Sequence, residues 1–257
     1  MPRHFAAHTA HRYAGGVTPS PMSRLSRQTP SKSAFWRFNW IAHSQIIRAV
    51  ERSGPHVRGK LLDVGCGTMP GKQWLAGHFT AYIGVDLADS RYLGDVKLDV
   101  VGRGEQLPFA RGSFDTVLGL SMLTYLPEPI RMIEESWRVL RPGGMLVLEF
   151  TQTAPLHDPP HDYFRFTPFG ARLLLERVGF EVVEIIPIGG LWTRVGMSLI
   201  APLNRLNRGP LRIVTELPVR LLYIVIQLLF AGLDRIADDR NEALANLIVA
   251  RRVERNA

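Results

Sequence analysis

Apolar residues recur at steps of three and four at Phe35, Phe38, Ile41, Ala42, Ile46, Ala49 and Val50, the spacing of one helix face over residues 35–53. Gly54 and Pro55 end that helix. The period then changes. Lys60–Val64 is a short apolar run that reads as a buried strand and passes into Gly65-Cys66-Gly67-Thr68, a tight glycine turn. Pro70 suits the first turn of a helix reaching about Gly77, and residues 81–85 read as a second strand ended by Asp86. Strand, helix and strand in so short a stretch make a right-handed crossover unit of a parallel sheet.

The alternation continues with a strand at Phe114–Leu120, a helix over 129–140, a Pro142-Gly143-Gly144 turn and a strand over 145–150. A helix over 167–178 capped by Gly179, a strand over 180–186 and a final strand over 245–253 complete a doubly wound α/β pattern. Residues 189–236 break it. They read as two apolar helical pieces, 191–203 and 219–233, joined by a stretch carrying Arg205, Arg208 and Arg212. The expected organisation is a ligand-binding domain over 34–188 and 237–257, with 189–236 as an apolar helical insertion before the last strand.

In the second helical piece Arg220, Gln227 and Asp234 stand seven apart and form one narrow polar stripe on a helix that is otherwise apolar. Residues 221–233 fall short of the roughly 20 apolar residues of a bilayer span, so a simple transmembrane helix is not expected. Arg194, Arg205, Arg208, Arg212 and Arg220 face a single acid, Glu216, between residues 185 and 233. Apolar helices flanked by arginines suit an anionic membrane surface touched through 190–235, and a homodimer would cover the same apolar face.

Composition narrows the reading. At 257 residues, 46% hydrophobic, the chain buries a core without a disulfide or metal staple. Its single cysteine, Cys66, excludes an internal disulfide framework and any cysteine-cluster metal site, and no metal is expected. The net charge of +8 is concentrated at one end, because Arg3, Arg12, Arg24, Arg27, Lys32, Arg37 and Arg48 all precede the first acid, Glu51. The body is therefore nearly neutral, which removes the simplest case for a nucleic-acid-binding face. Residues 1–33 read as a disordered basic leader; Pro19, Pro21 and Pro30 break the amphipathic helix that a transit peptide would need. Without a secretory signal pattern, the expected place is the cytoplasm, with the inner face of the membrane as the peripheral alternative.

Asp63-Val-Gly65-Cys66-Gly67 sits at the mouth of the first strand, where glycines let backbone approach a ligand closely. Asp86 follows Gly65 by 21 residues and ends the second strand, where a carboxylate can accept both ribose hydroxyl protons of an adenosine. A dinucleotide fingerprint needs a third glycine where Pro70 stands, which weakens the NAD-oxidoreductase alternative. Asp63-Val-Gly-Cys-Gly-Thr68 instead resembles the first motif of class I S-adenosylmethionine-dependent methyltransferases. Ile83-Gly-Val-Asp86, Glu105-Gln-Leu-Pro-Phe109, Ser113-Phe-Asp115 and Arg138-Val-Leu-Arg-Pro-Gly-Gly144 resemble later motifs of that family in the right order.

The resemblance implies a Rossmann-like, mostly parallel seven-stranded sheet with helices on both faces, and S-adenosylmethionine as cofactor. It implies that Gly65, Cys66 and Gly67 pass the methionine end, that Asp86 holds the ribose and Leu87 packs on the adenine, and that Ser121 and Met122 lie near the sulfonium. Arg103 stands where the family often carries an acid for the adenine amino group, so Asp99 or Glu105 is expected to substitute. Asp63 has a plainer reading as a cap of the glycine turn, Asp115 as the start of a strand, and Cys66 as a small packing residue.

The acceptor side is expected after the fourth and fifth strands. Tyr125 follows the fourth. His157-Asp-Pro-Pro-His161-Asp162-Tyr163-Phe-Arg165-Phe-Thr167 follows the fifth, and similar stretches occur in a bacterial branch of these methyltransferases. A neutral His161, or His157 in its place, can take the proton of a hydroxyl acceptor. In the plainer reading Asp162 and Arg165 pair to shape the loop while Thr167 caps the next helix. The expected activity is methyl transfer, on oxygen, to a small-molecule, lipid or lipid-linked acceptor. Its rivals are a cofactor-binding protein without turnover and a nucleic-acid methyltransferase. The latter lacks its amino-methylating motif here, since Ser121-Met-Leu-Thr124 follows the fourth strand.

Overall fold

Seven strands form one sheet in the order β3-β2-β1-β4-β5-β7-β6. They are β1 (Lys60–Val64), β2 (Ala81–Asp86), β3 (Val100–Val101), β4 (Phe114–Leu120), β5 (Leu140–Thr151), β6 (Phe180–Ile188) and β7 (Ala245–Arg252). The structure is a computed structural model and describes residues 37–156, 158–206, 212–237 and 239–254. The basic leader expected over 1–33, and His157, lie outside the described residues.

The first five strands pair in parallel, whereas β7 runs antiparallel to both β5 and β6. Two reversals leave β6 pointing the same way as β1 to β5, so six carboxyl ends share one edge. Alternation along the strands supplies two cores. Leu62, Val64, Val117, Leu146 and Ile248 face one side, beneath α3 (Pro129–Val139) and α4 (Pro168–Val178). Leu61, Leu118, Val147 and Leu247 face the other, beneath α1 (Trp40–Arg52) and next to α2 (Pro70–Trp74). That is the doubly wound arrangement expected from the pattern.

Local chemistry explains most boundaries. Thr167 Oγ1 accepts from Gly170 N at 3.1 Å and Gly179 ends α4 at φ 106°, so this helix is closed at both ends as the sequence implies. Asp115 accepts from Lys60 N at 2.8 Å and pairs with Arg141 at 2.7 Å, which ties the start of β4 to both neighbours. The Pro142-Gly143-Gly144 turn is absorbed into β5 instead of preceding it. The register shifts between Phe114 and Thr116, which lets β5 start at Leu140 and carry the turn as an irregularity. The short strand β3 was not expected, since two residues carry no readable period.

The insertion is a helical hairpin of α5 (Leu191–Leu206) and α6 (Arg212–Ile236). α6 corrects the shorter piece read over 219–233: the helix continues through Pro218, which forfeits one backbone hydrogen bond without ending it. Val214–Ile236 is long and apolar enough to cross a membrane by length and composition, unlike the 13-residue run read from the sequence.

Candidate active site

The first strand delivers the chain into the glycine turn at the carboxyl edge, between the ends of β2 and β4. Gly65 and Gly67 adopt φ of 68° and 49°, values that a side chain would strain. A Cβ on Gly65 would also stand 1.8 Å from Met122 Sδ, so the turn and the segment after β4 interlock at that point. Gly65 N and Cys66 N both donate to Val85 O, at 2.8 and 3.2 Å, and tie the turn to β2.

Asp86 joins the same construction. Its carboxylate accepts from Gly67 N at 2.8 Å and from Leu87 N at 2.7 Å. A carboxylate has about four acceptor positions, so two remain for a diol. Leu87 beside it is 41% exposed, which leaves an apolar face for a flat base. This donor and acceptor set fits the adenosine half of S-adenosylmethionine.

Asp63 lies under the turn, buried, and accepts a hydrogen bond from the Tyr82 hydroxyl. Burial raises its pKa to about 7; the Tyr82 hydrogen bond opposes the rise and the charge of Asp86 adds to it. Cys66 is buried, and burial first, then the charge of Asp63, pushes its thiol up, which agrees with the packing role the sequence suggests. The folded state therefore keeps a proton on Asp63 that the unfolded chain releases. Its contribution to stability is full below the unfolded value of 3.8 and is lost as pH rises to about 7. Asp63→Asn should remove this slope, and melting temperatures across that range, wild type against variant, measure it.

Asp99 and Glu105, expected at the adenine, each have a partner within the protein. Asp99 accepts from Gly84 N at 2.9 Å, while Glu105 lies 3.7 Å from Arg103. The Glu105–Phe109 stretch is held by α3: Glu135 accepts from Leu107 N at 2.7 Å, and Arg138 donates to Leu107 O and Phe109 O at 2.9 and 2.7 Å.

Ser121, at the end of β4, has a left-handed φ of 56° and donates to Glu149 at 2.5 Å. Burial raises the pKa of Glu149. Glu149 was not singled out from the sequence, although a lone carboxylate closing the apolar run Met145–Leu148 is a readable signal. Tyr125 follows at the end of a short 3-10 turn. Burial first, and then the charges of Tyr92, Asp158, Asp162 and Glu149, push the pKa of its hydroxyl up.

The loop after β5 is braced from two directions. Arg165 grips Asp162 with two nitrogens at 2.5 and 2.8 Å, the loop-shaping pair expected from the sequence. Asp158 accepts from the Tyr92 hydroxyl at 2.8 Å and pairs with Arg91 at 2.7 Å. Those two residues come from the segment after β2, and the backbone carbonyl of Tyr92 lies 3.2 Å from where a Cβ on Gly67 would stand. A strap thus links the segments after β2 and β5 beside the glycine turn. No periodicity marks residues 87–99, so the sequence did not show it. His161 is exposed, with Nδ1 3.1 Å from the Tyr163 hydroxyl.

Residues 62–148 match the methyltransferase domain family. An O-methyltransferase of Aspergillus nomiae is 28% identical over 171 residues, covering 58% of this chain and 76% of the fungal one. A fatty-acid O-methyltransferase of Mycolicibacterium smegmatis is 33% identical over 139 residues, half of each chain. The chain spans about half the length of most curated relatives it matches. Among solved structures, phosphoethanolamine N-methyltransferase 2 of Haemonchus contortus, with S-adenosylhomocysteine bound, superposes with a TM-score of 0.52. It is 19% identical and the match covers 90% of this chain and 60% of that one, which establishes the shared fold.

Proposed function

Residues 62–148 place this chain among the class I S-adenosylmethionine-dependent methyltransferases, and on that premise we propose that it methylates an oxygen of a small-molecule, lipid or lipid-linked acceptor. The observation that carries the reading is the meeting of four segments at one carboxyl edge: the Gly65–Gly67 turn, Asp86 bonded to it, Ser121 with Met122, and Tyr125 among carboxylates. When bound, the cofactor supplies a methyl group already activated by its sulfonium. The protein's part is then alignment and the fate of one proton.

Asp86 would hold the ribose and Leu87 would cover the adenine. The strap of Arg91, Tyr92 and Asp158 would hold the segments after β2 and β5 together beside the cofactor. Tyr125, kept protonated, would hydrogen-bond the acceptor oxygen. His161 would take the acceptor proton, and its ring is oriented by the Tyr163 hydroxyl. His157 stands four residues earlier in the same loop and would substitute. Oxygen as the target draws on the O-methyltransferases that the chain resembles.

Calorimetry with S-adenosylmethionine, followed by transfer of a labelled methyl to panels of phenols and fatty acids, tests the reading. The expected result is one S-adenosylhomocysteine released per methyl transferred to oxygen. Tight cofactor binding with no product from either panel or from cell extract would favour a binding protein instead.

A further inference from the structure

Two of the three residues in the polar stripe of α6 face inward, while Arg220 is exposed and pairs with Glu216. Gln227 is buried, accepts from Ile41 N at 3.0 Å and donates to Arg37 O at 2.9 Å. Asp234 is buried and accepts from Trp192 N at 3.0 Å and Thr193 N at 3.1 Å, capping the start of α5. One turn before Gln227, Tyr223 packs against Phe38 and Ile200. The opposite side is left to leucine and valine. Val214, Leu217, Leu221, Val225, Leu228 and Ile236 are 56–85% exposed. They advance by three, four or eight residues and lie within roughly 100° of arc, one unbroken stripe along the helix. A Cβ on Gly232, in the same stripe, would meet nothing within 4 Å.

We infer that the outward face of α6 docks in the plane of an anionic lipid bilayer, at the boundary between headgroups and acyl chains, and does not span it. Spanning would pull Gln227 and Asp234 away from Ile41 N, Arg37 O, Trp192 N and Thr193 N and carry their polar groups into hydrocarbon without partners. A second copy is the weaker occupant. The stripe is about 33 Å long and about 10 Å wide, so a paired stripe covers about 330 Å² per copy, less than half of what a standard interface needs. Charge favours lipid. In the sequence Arg205 and Arg208 precede α6 and Arg212, Arg220 and Arg235 belong to it, and its acids are Glu216, paired with Arg220, and the buried Asp234.

The docking also orients the site. β6 ends at the same edge as β1 and β4, α5 starts from that end, and Asp234 pins the last turns of α6 to it. A lipid-docked α6 therefore keeps its last turns, and the carboxyl edge they are pinned to, close to the membrane, where a lipid or lipid-linked acceptor would be met. The docking stands on α6 and the acceptor on the site, so either can fail without the other.

Flotation of the full chain with phosphatidylcholine vesicles, with and without phosphatidylglycerol, tests the docking, with cofactor calorimetry run alongside to report the site. Binding should require phosphatidylglycerol, weaken as salt rises, and fall at least about tenfold in Leu221→Asp/Val225→Asp/Leu228→Asp. Should that variant fail to fold, Val225→Cys carrying an environment-sensitive fluorophore serves instead, because Cys66 is buried and escapes labelling. Its emission should shift to the blue on anionic vesicles, while a label at Glu176→Cys should not respond. Any of three results overturns the inference: no flotation on either vesicle, retention on vesicles through an alkaline carbonate wash, or a dimer in light scattering that ignores vesicles and dissociates in the triple variant.

Discussion

His161→Ala should lower turnover on a hydroxyl acceptor about a hundredfold or more, while leaving the affinity for S-adenosylmethionine unchanged. The split is the diagnostic part, because His161 bonds to Tyr163 in the loop after β5 and has no hydrogen bond to the glycine turn. Turnover should also recover as pH rises, since solvent hydroxide then ionises the acceptor without help. A carboxylic acid acceptor sharpens the test. It is already ionised near neutral pH, so the same variant should methylate a fatty acid at close to the wild-type rate. Equal rates on both acceptor classes would remove His161 from the chemistry. Single-turnover assays with each class measure this directly.

Asp86→Ala should raise the dissociation constant for S-adenosylmethionine about tenfold to a hundredfold, the equivalent of about 1.5 to 3 kcal/mol for hydrogen bonds to a charged group. Two effects add. The ribose loses its acceptor, and Gly67 N and Leu87 N lose the partner that holds the turn against the end of β2. Asp86→Asn separates them: its amide oxygen keeps one acceptor but no charge, so its affinity should fall between wild type and alanine. Calorimetry on the three proteins reads the order, and a dissociation constant within twofold of wild type for the alanine variant would remove Asp86 from the ribose.

What was legible in the chain is what neighbouring residues decide among themselves. The turn at Gly65 and Gly67, the cap at Thr167, the stop at Gly179 and the pair Asp162–Arg165 each satisfy their own requirement within a few residues, so spacing and residue type suffice to read them. The order of strand and helix follows from the change of period between two and three to four, and with it the doubly wound sheet. Asp86 was found because strand length and turn length together set where a residue 21 positions past Gly65 must lie.

Contacts between distant segments left no such trace. The Tyr92–Asp158 strap joins residues 66 apart in sequence, and Gln227 meets Ile41 across 186. Such pairs are chosen by how the sheet stacks its layers, which residue spacing within either segment does not encode. α6 shows the division most sharply. Its sequence determined an apolar helix with a narrow polar stripe; in the folded chain Gln227 and Asp234 of that stripe are buried, whereas Arg220 is exposed. Which side faces the protein depended on whether α1 and α5 offered unpaired backbone groups. Ile41 N, Trp192 N and Thr193 N did, at two helix beginnings that need partners, and burying Gln227 and Asp234 against them left the leucines outside.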